Sequence, residues 1–175
     1  ASAGIDYIIA PPETLVLEDF EDGAPQSFLS QWFPVSDWWI YQKQATSIPA
    51  TASDFATSLL LDPNPAISHF LRIQANPDTS QELSLVLLGL NLSTGTESLD
   101  SSQVFLDLSL LESMHIRVRG TGWLKVFFQT RDIWLLGDDH YFYKDLYLDG
   151  SWQDFTITPE DLSMYPGALA EGLAL

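Results

Sequence analysis

One stretch of the chain, Met114 to Ile157, constrains the fold most, because apolar and polar residues alternate along nearly all of it. Alternation with a period of two is typical of β-strands that bury one face and expose the other. Gly120-Thr121-Gly122 and Asp149-Gly150 interrupt the pattern, and short glycine-containing steps of this kind predict turns. We therefore expect an antiparallel meander with one face in the core. Its strands are predicted at residues 114–119, 123–131, 140–148 and 152–157.

The face of this meander that points away from the core combines aromatic rings with cations and amides. Sugar rings present apolar C–H faces that stack on Trp and Tyr, and their hydroxyls need fixed hydrogen-bond donors and acceptors. The face is therefore a candidate binding site for a glycan. The alternative is that its rings form a second core layer beneath loops. The candidate ligand-binding residues are His115, Arg117, Trp123, Lys125, Gln129, Arg131, Tyr141 and Tyr143.

The chain is strongly acidic: its 175 residues include 24 Asp and Glu against 7 Lys and Arg, a formal net charge of -17. Nucleic acid and anionic membrane surfaces are polyanions that such a protein repels, so neither is an expected partner. The charge also has a simpler explanation, the solubility of a β-rich extracellular or salt-adapted protein. There is no cysteine, which excludes disulfides and cysteine-bound zinc. Most of the few cations nevertheless lie in the meander, namely Arg117, Arg119, Lys125, Arg131 and Lys144.

The rest of the chain alternates short apolar stretches with polar or proline-containing ones. Residues 1–12 are expected to form an N-terminal arm that ends at Pro11-Pro12, and residues 13–175 a single domain. A loop is predicted at 44–54, and a helix at 159–165 with Thr158 as its N-cap. Further strands are predicted at residues 14–20, 37–44, 57–62, 68–75, 82–91 and 104–109. About ten short strands with at most one or two short helices indicate an all-β protein, an antiparallel β-sandwich of the jelly-roll type.

Four carboxylates crowd the end of the first predicted strand, between Glu18 and Asp22. Like charges at this density repel one another unless water or a cation neutralises them. Asp19 and Glu21 would share one face of the strand, and calcium prefers several oxygen ligands of this kind. A calcium site and a solvated acidic turn are therefore both consistent with these residues.

Several short motifs resemble those of the galactose-binding-like jelly rolls, and are most similar to family 11 carbohydrate-binding modules and the complex I intermediate-associated group. The motifs are DFEDG (Asp19 to Gly23), Phe70 to Ile73, LDLS (Leu106 to Ser109), IRVRGTG (Ile116 to Gly122), Gln129-Thr130, and W-x-x-F-x-I (Trp152, Phe155, Ile157). The resemblance implies a non-catalytic β-sandwich that holds a polysaccharide chain in a concave cleft. It also implies a structural calcium between the first strand and a late strand, where Asp154 matches the late acidic ligand.

The expected function is thus a secreted carbohydrate-binding module, part of a larger protein, that binds a neutral β-linked glucan. The cations leave open an acidic, uronate-containing polysaccharide, because Arg pairs with carboxylates. The residues are also compatible with a protein-interaction or assembly module and, less well, with a glycan-cleaving enzyme domain. We expect no enzyme, because the chain lacks Cys, G-x-S-x-G and H-E-x-x-H, and because its three histidines lack ligand spacing.

Overall fold

The protein is an all-β chain in the computed structural model, which describes residues 7–9, 15–21, 27, 38–51, 54, 60–61, 69–81, 84–92, 104–106, 108–129 and 141–164. The strands are β1 (Tyr7–Ile9), β2 (Trp38–Lys43), β3 (Ala45–Ile48), β4 (Leu60–Leu61), β5 (His69–Phe70), β6 (Gln74–Pro77), β7 (Leu85–Leu90), β8 (Val104–Leu106), β9 (Met114–Phe128), β10 (Phe142–Ile157) and β11 (Ser163–Met164). Within the described residues, helical structure is limited to the 3-10 turn Pro159–Asp161 and to Asp54, which also has 3-10 conformation. No helix in that part of the chain is long and apolar enough to cross a membrane.

The chain divides into two compact units, Ala1–Asp107 and Leu108–Leu175. In the first unit β2 pairs with β7, β3 with β6 and β4 with β5, all antiparallel, whereas β1 and β8 are parallel. The ring of Trp39 occupies the space that a Cβ at Gly89 would need, and its Nε1 donates a hydrogen bond to Asn91 Oδ1 at 3.1 Å. A glycine in β7 therefore allows a large ring to lie close against the sheet.

The second unit is built on a long antiparallel ribbon of β9 and β10, with β11 on the other side of β10. Its register runs from Met114 opposite Ile157 to Phe128 opposite Phe142. At 15 and 16 residues, these strands are far longer than the usual five or six. The inward side of β10 carries buried apolar side chains, Phe142, Leu146, Leu148 and Ile157. The alternation that predicted one buried face in this segment is confirmed.

The two turns predicted inside this segment are wrong. β9 continues through Gly120-Thr121-Gly122, and β10 continues through Asp149-Gly150. Gly122 and Gly150 have φ values of 96° and 97°, which glycine adopts without steric cost. Leu148 pairs with Gly122, so the two glycine steps lie beside each other in the ladder. There the glycines accommodate an irregularity within paired strands instead of reversing the chain.

That irregularity is a β-bulge in β10. Asp149 pairs with Thr121 and Trp152 pairs with Arg119, so Gly150 and Ser151 together lie opposite the single residue between them in β9. An extra residue changes which face the later residues occupy: before the bulge the odd-numbered residues of β10 face outward, and after it the even-numbered ones do. The bulge therefore keeps Trp152 on the same side as Asp149, and it directs Ile157 inward, where only 2% of its surface is exposed.

The strand predicted at residues 14–20 and the helix predicted at 159–165 are wrong. Short-range hydrogen bonds prevent the first, and strand pairing ends the second. Residues 15–20 form no strand. Glu18 Oε1 accepts hydrogen bonds from the backbone N–H groups of Asp19 (3.0 Å) and Phe20 (2.6 Å), and Phe20 has a φ of 60°, so the backbone turns. The helix predicted at 159–165 is only a 3-10 turn, because Leu162 is extended and β11 then pairs with β10. Thr158 is its N-cap residue, as predicted.

The remaining strand boundaries differ in detail. The predicted loop 44–54 contains β3, which pairs with β6 through backbone hydrogen bonds even though two of its four residues, Thr46 and Ser47, are small and polar. The strand predicted at 68–75 is divided between β5 and β6, and the strand predicted at 104–109 ends at Leu106. β2 and β7 lie where strands were predicted, and β4 falls within the predicted strand at 57–62, most of which lies outside the described residues.

Candidate functional site

The candidate site is the side of the β9–β10 ribbon that faces away from the buried residues, called the outward face below. It consists of His115, Arg117, Arg119, Thr121, Trp123, Lys125 and Phe127 from β9, and of Tyr143, Asp145, Tyr147, Asp149, Trp152, Asp154 and Thr156 from β10. Gln129 and Tyr141 adjoin its end, each one residue outside its strand. The structure thus places seven of the eight predicted ligand residues on or beside one surface. The eighth, Arg131, lies outside the described residues.

Trp123 and Tyr147 form the most exposed aromatic pair of this surface. They are opposite each other in the ladder, with ring centroids 5.4 Å apart at an interplanar angle of 64°. Trp123 is 76% exposed and Tyr147 58% exposed. The edge-to-face contact holds each ring in one orientation while leaving apolar surface in water. Two adjacent exposed rings are a surface of the kind that binds a partner with flat apolar faces.

A second aromatic group lies where β9 ends and β10 begins. Tyr141 is 5.4 Å from Phe127 and 5.8 Å from Tyr143, measured between ring centroids. Lys125 Nζ lies 3.5 Å from the centre of the Tyr143 ring and 2.8 Å from Asp145 Oδ1. The ammonium group of Lys125 therefore contacts a ring and a carboxylate at once, a cation–π contact next to an ion pair.

Arg117 and His115 lie toward the other end of the outward face. Arg117 Nε is 3.8 Å from Asp154 Oδ1, and its guanidinium carbon is 5.7 Å from the centre of the Trp152 ring. The Arg117 and Asp154 side chains are 68% and 77% exposed, so their ion pair is well solvated and weak. The His115 ring lies between two hydroxyls, with Thr156 Oγ1 at 2.9 Å from Nδ1 and Ser113 Oγ at 3.2 Å from Nε2.

Asp149, at the bulge, is held as an anion. Its Oδ1 accepts hydrogen bonds from Ser151 Oγ (2.7 Å) and from the Ser151 backbone N–H (2.9 Å). These two bonds, the side-chain bond first, hold the pKa of the Asp149 carboxyl below its ordinary value. The carboxylate keeps lone pairs that can accept hydrogen bonds from a ligand hydroxyl.

Lys144, the fifth cation of the predicted meander, does not belong to the outward face. It has the parity of the buried residues Phe142 and Leu146, and its Nζ pairs with Asp161 Oδ1 at 3.0 Å. The backbone N–H of Thr158, and then Lys144, hold the pKa of the Asp161 carboxyl below its ordinary value. This contact fastens the 3-10 turn to β10, so it is structural.

The three residues predicted to bind calcium are not brought together within one unit. Asp19 and Glu21 belong to the first unit and Asp154 to the second. Asp19 Oδ1 accepts a hydrogen bond from the Glu21 backbone N–H at 3.0 Å, while Asp154 is directed toward Arg117. Over the described ranges, no group of three or more His, Asp or Glu side chains is arranged to hold a metal ion. The donor set seen in that part of the chain is therefore incomplete, and the calcium site stays a prediction.

Three rings of the outward face are absent from the predicted ligand residues: Phe127, Tyr147 and Trp152. Phe127 lies on the same face of its strand as Trp123, and Tyr147 on the same face as Tyr143, so the alternation itself could have identified both. Trp152 could not be found in this way, because the bulge changes the parity between Asp149 and Trp152. The neutralising partners of the cations were also not predicted, since they depend on the register between β9 and β10.

Three comparisons, with protein-family models, with curated proteins and with solved structures, found no match to the chain. The resemblance to carbohydrate-binding jelly rolls therefore rests on the short sequence motifs described above.

Proposed function

We propose that the chain is a non-catalytic carbohydrate-binding module and that its outward face binds a neutral, β-linked polysaccharide. The proposal rests on one observation: Trp123 and Tyr147 form an edge-to-face pair of rings that remain largely exposed on a sheet surface. Pyranose rings stack on such surfaces through their C–H faces. The resembled family adds a jelly-roll sandwich of about ten strands, a structural calcium and a place in a larger secreted protein, and these remain parts of the proposal.

The charges of the outward face favour a neutral ligand over a uronate-containing one. The face carries three cations, Arg117, Arg119 and Lys125, and three carboxylates, Asp145, Asp149 and Asp154. Two of the cations already lie beside carboxylates of the opposite strand. A ligand carboxylate would have to compete with these partners, and it would also meet the repulsion of a chain with a net charge of -17. A ligand hydroxyl meets neither obstacle.

The test is the affinity of single variants for soluble polysaccharides. Trp123→Ala and Tyr147→Ala each remove one stacking ring, so we expect binding to weaken by about 1–3 kcal/mol, or roughly 5- to 150-fold in Kd. Calorimetry and affinity electrophoresis on laminarin, cereal β-glucan and xyloglucan measure the loss. Tyr41→Ala is the matched control, because Tyr41 is 51% exposed but lies in the first unit. We expect it to bind as the wild type does.

Competing functions give different results in the same experiment. Tight binding to polygalacturonate or alginate that falls steeply with added salt would indicate an acidic ligand. Release of reducing ends during incubation would indicate an enzyme. Normal binding by both ring variants, with a much lower unfolding temperature, would show that the rings stabilise the fold and do not bind sugar. No binding to any glycan would refute the proposal and favour a protein-interaction module.

A further inference from the structure

From Tyr143 to Asp154, the outward residues of β10 alternate between an aromatic ring and a carboxylate. In chain order they are Tyr143, Asp145, Tyr147, Asp149, Trp152 and Asp154. The alternation spans the bulge, and it is not visible as a simple period in the sequence because Trp152 follows Asp149 by three residues. If β10 kept all its residues and were regular, Trp152 and Asp154 would point to the buried side. The bulge therefore extends one chemical pattern as far as Asp154, over all but the last outward row of the ribbon.

The opposite strand completes this pattern as a series of rows, each row being an outward residue of β9 and the β10 residue opposite it. The rings lie in the rows Phe127–Tyr143, Trp123–Tyr147 and Arg119–Trp152, and the carboxylates in the rows Lys125–Asp145, Thr121–Asp149 and Arg117–Asp154. Successive aromatic rows are four residues apart along β9. At the rise of an antiparallel strand this is roughly 13 Å, so the three aromatic rows extend over about 26 Å.

Each carboxylate row can act as a fixed hydrogen-bond acceptor: two of these rows lie between aromatic rows, and the third follows the last aromatic row. Asp145 is held by Lys125 at 2.8 Å, Asp149 by Ser151 at 2.7 Å, and Asp154 lies 3.8 Å from Arg117. These partners restrict where the oxygen atoms lie, and the two cations offset the charges of Asp145 and Asp154. Each carboxylate can still accept further hydrogen bonds. A face of this composition matches a polymer that repeats an apolar ring face and a set of hydroxyls.

We propose that the ligand is a single linear neutral glycan that lies along the long axis of the ribbon and contacts all three aromatic rows, with its hydroxyls donating to the intervening carboxylates. This inference rests on the proposed function and specifies its ligand. A disaccharide reaches one aromatic row, whereas a hexasaccharide reaches from the first row to the third. Two-stranded ribbons also twist strongly, so the rings do not lie in one plane. The site therefore suits a soluble flexible chain and not the flat surface of a crystalline polysaccharide.

Dependence of affinity on chain length tests the inference. Calorimetry of the whole chain with cello- and laminari-oligosaccharides, from disaccharide to hexasaccharide, should show Kd falling at least about tenfold over the series, since each added row binds as an intramolecular step. Trp152→Ala removes the last ring and should weaken hexasaccharide binding about tenfold while leaving the disaccharide unchanged. Trp152→Phe keeps a ring and should restore most of the hexasaccharide affinity. Leu110→Ala, at a residue 85% exposed and outside the ribbon, is the control.

The outcomes separate this inference from the proposed function. Equal affinity for all lengths, with loss only in Trp123→Ala, would show that one aromatic row binds the sugar, which overturns the inference and leaves the proposed function standing. Binding to crystalline cellulose as tight as to the hexasaccharide would also overturn it. Failure of every oligosaccharide and polysaccharide to bind the wild type would refute the proposed function itself. If Trp152→Ala does not fold, the series of oligosaccharide lengths measured on the wild type tests the inference by itself.

Discussion

Insertion of one glycine before Gly120 in β9 should turn the end of the ribbon over. The bulge places two residues of β10 opposite one residue of β9, and one extra residue in β9 restores one-to-one pairing. With the register kept on both sides of the insertion, every side chain from Trp152 onward then changes sides, together with its partner in β9. Ile157, now 2% exposed, and the half-buried Phe155 would face water, while Asp154 would face the buried side.

The size of the effect follows from these three side chains. Transfer of a buried Ile to water costs about 1.5–3 kcal/mol, and partial exposure of Phe155 raises the total for the apolar side chains to roughly 2–4 kcal/mol. Desolvation of the Asp154 carboxylate adds to this cost. Small domains are stable by only about 5–15 kcal/mol, so the variant should lose a large share of its stability or release the end of the strand.

Urea unfolding followed by tryptophan fluorescence and circular dichroism measures the loss, as a lower midpoint at similar slope. The matched control is Ser151→Gly, which removes the side-chain hydrogen bond to Asp149 but keeps the chain length and therefore the parity. We expect only a small change in the control. If the insertion variant unfolds at the same urea concentration as Ser151→Gly, the bulge does not determine which side chains face outward, and the argument for an alternating face fails with it.

Two further predictions concern ionic contacts. Because the folded-state pKa of Asp161 is lowered by Thr158 and Lys144, its stabilising effect is present above the unfolded pKa of about 3.9 and is lost as the pH falls through the folded pKa. Asp161→Asn should therefore be less stable than the wild type at neutral pH, with a difference that narrows in acid; urea unfolding over a pH series measures it, and a constant difference would contradict the assignment. For calcium, excess ion should raise the wild-type unfolding temperature above that in chelator, by mass action, and Asp19→Ala or Asp154→Ala should remove the effect. An unchanged wild-type midpoint would eliminate the calcium site.

The alternation in the sequence was sufficient to predict the β class and, up to the bulge, the two faces of each long strand. Side-chain direction in a strand repeats every two residues, so counting alone assigns Trp123 and Lys125 to one face of β9, and Tyr143 to the face of β10 opposite Phe142. The position of each residue within its own strand is a local property, and it does not depend on the partner strand. Composition in the same way predicts the strong negative charge and excludes cysteine chemistry.

The pairing of the two strands determines the bulge and the cross-strand contacts, which no local sequence pattern specifies. Gly120 to Gly122 and Asp149-Gly150 have the composition of turns, but they lie side by side in a continuous ladder, and only the pairing shows that they form a bulge. The same register brings Asp145 to Lys125 and Tyr147 to Trp123, residues more than 19 positions apart in the sequence. Whether a cation is available to a ligand, and whether two rings form one surface, depend on these cross-strand neighbours. Such contacts follow from the alignment of two strands, which the period of either strand alone does not specify.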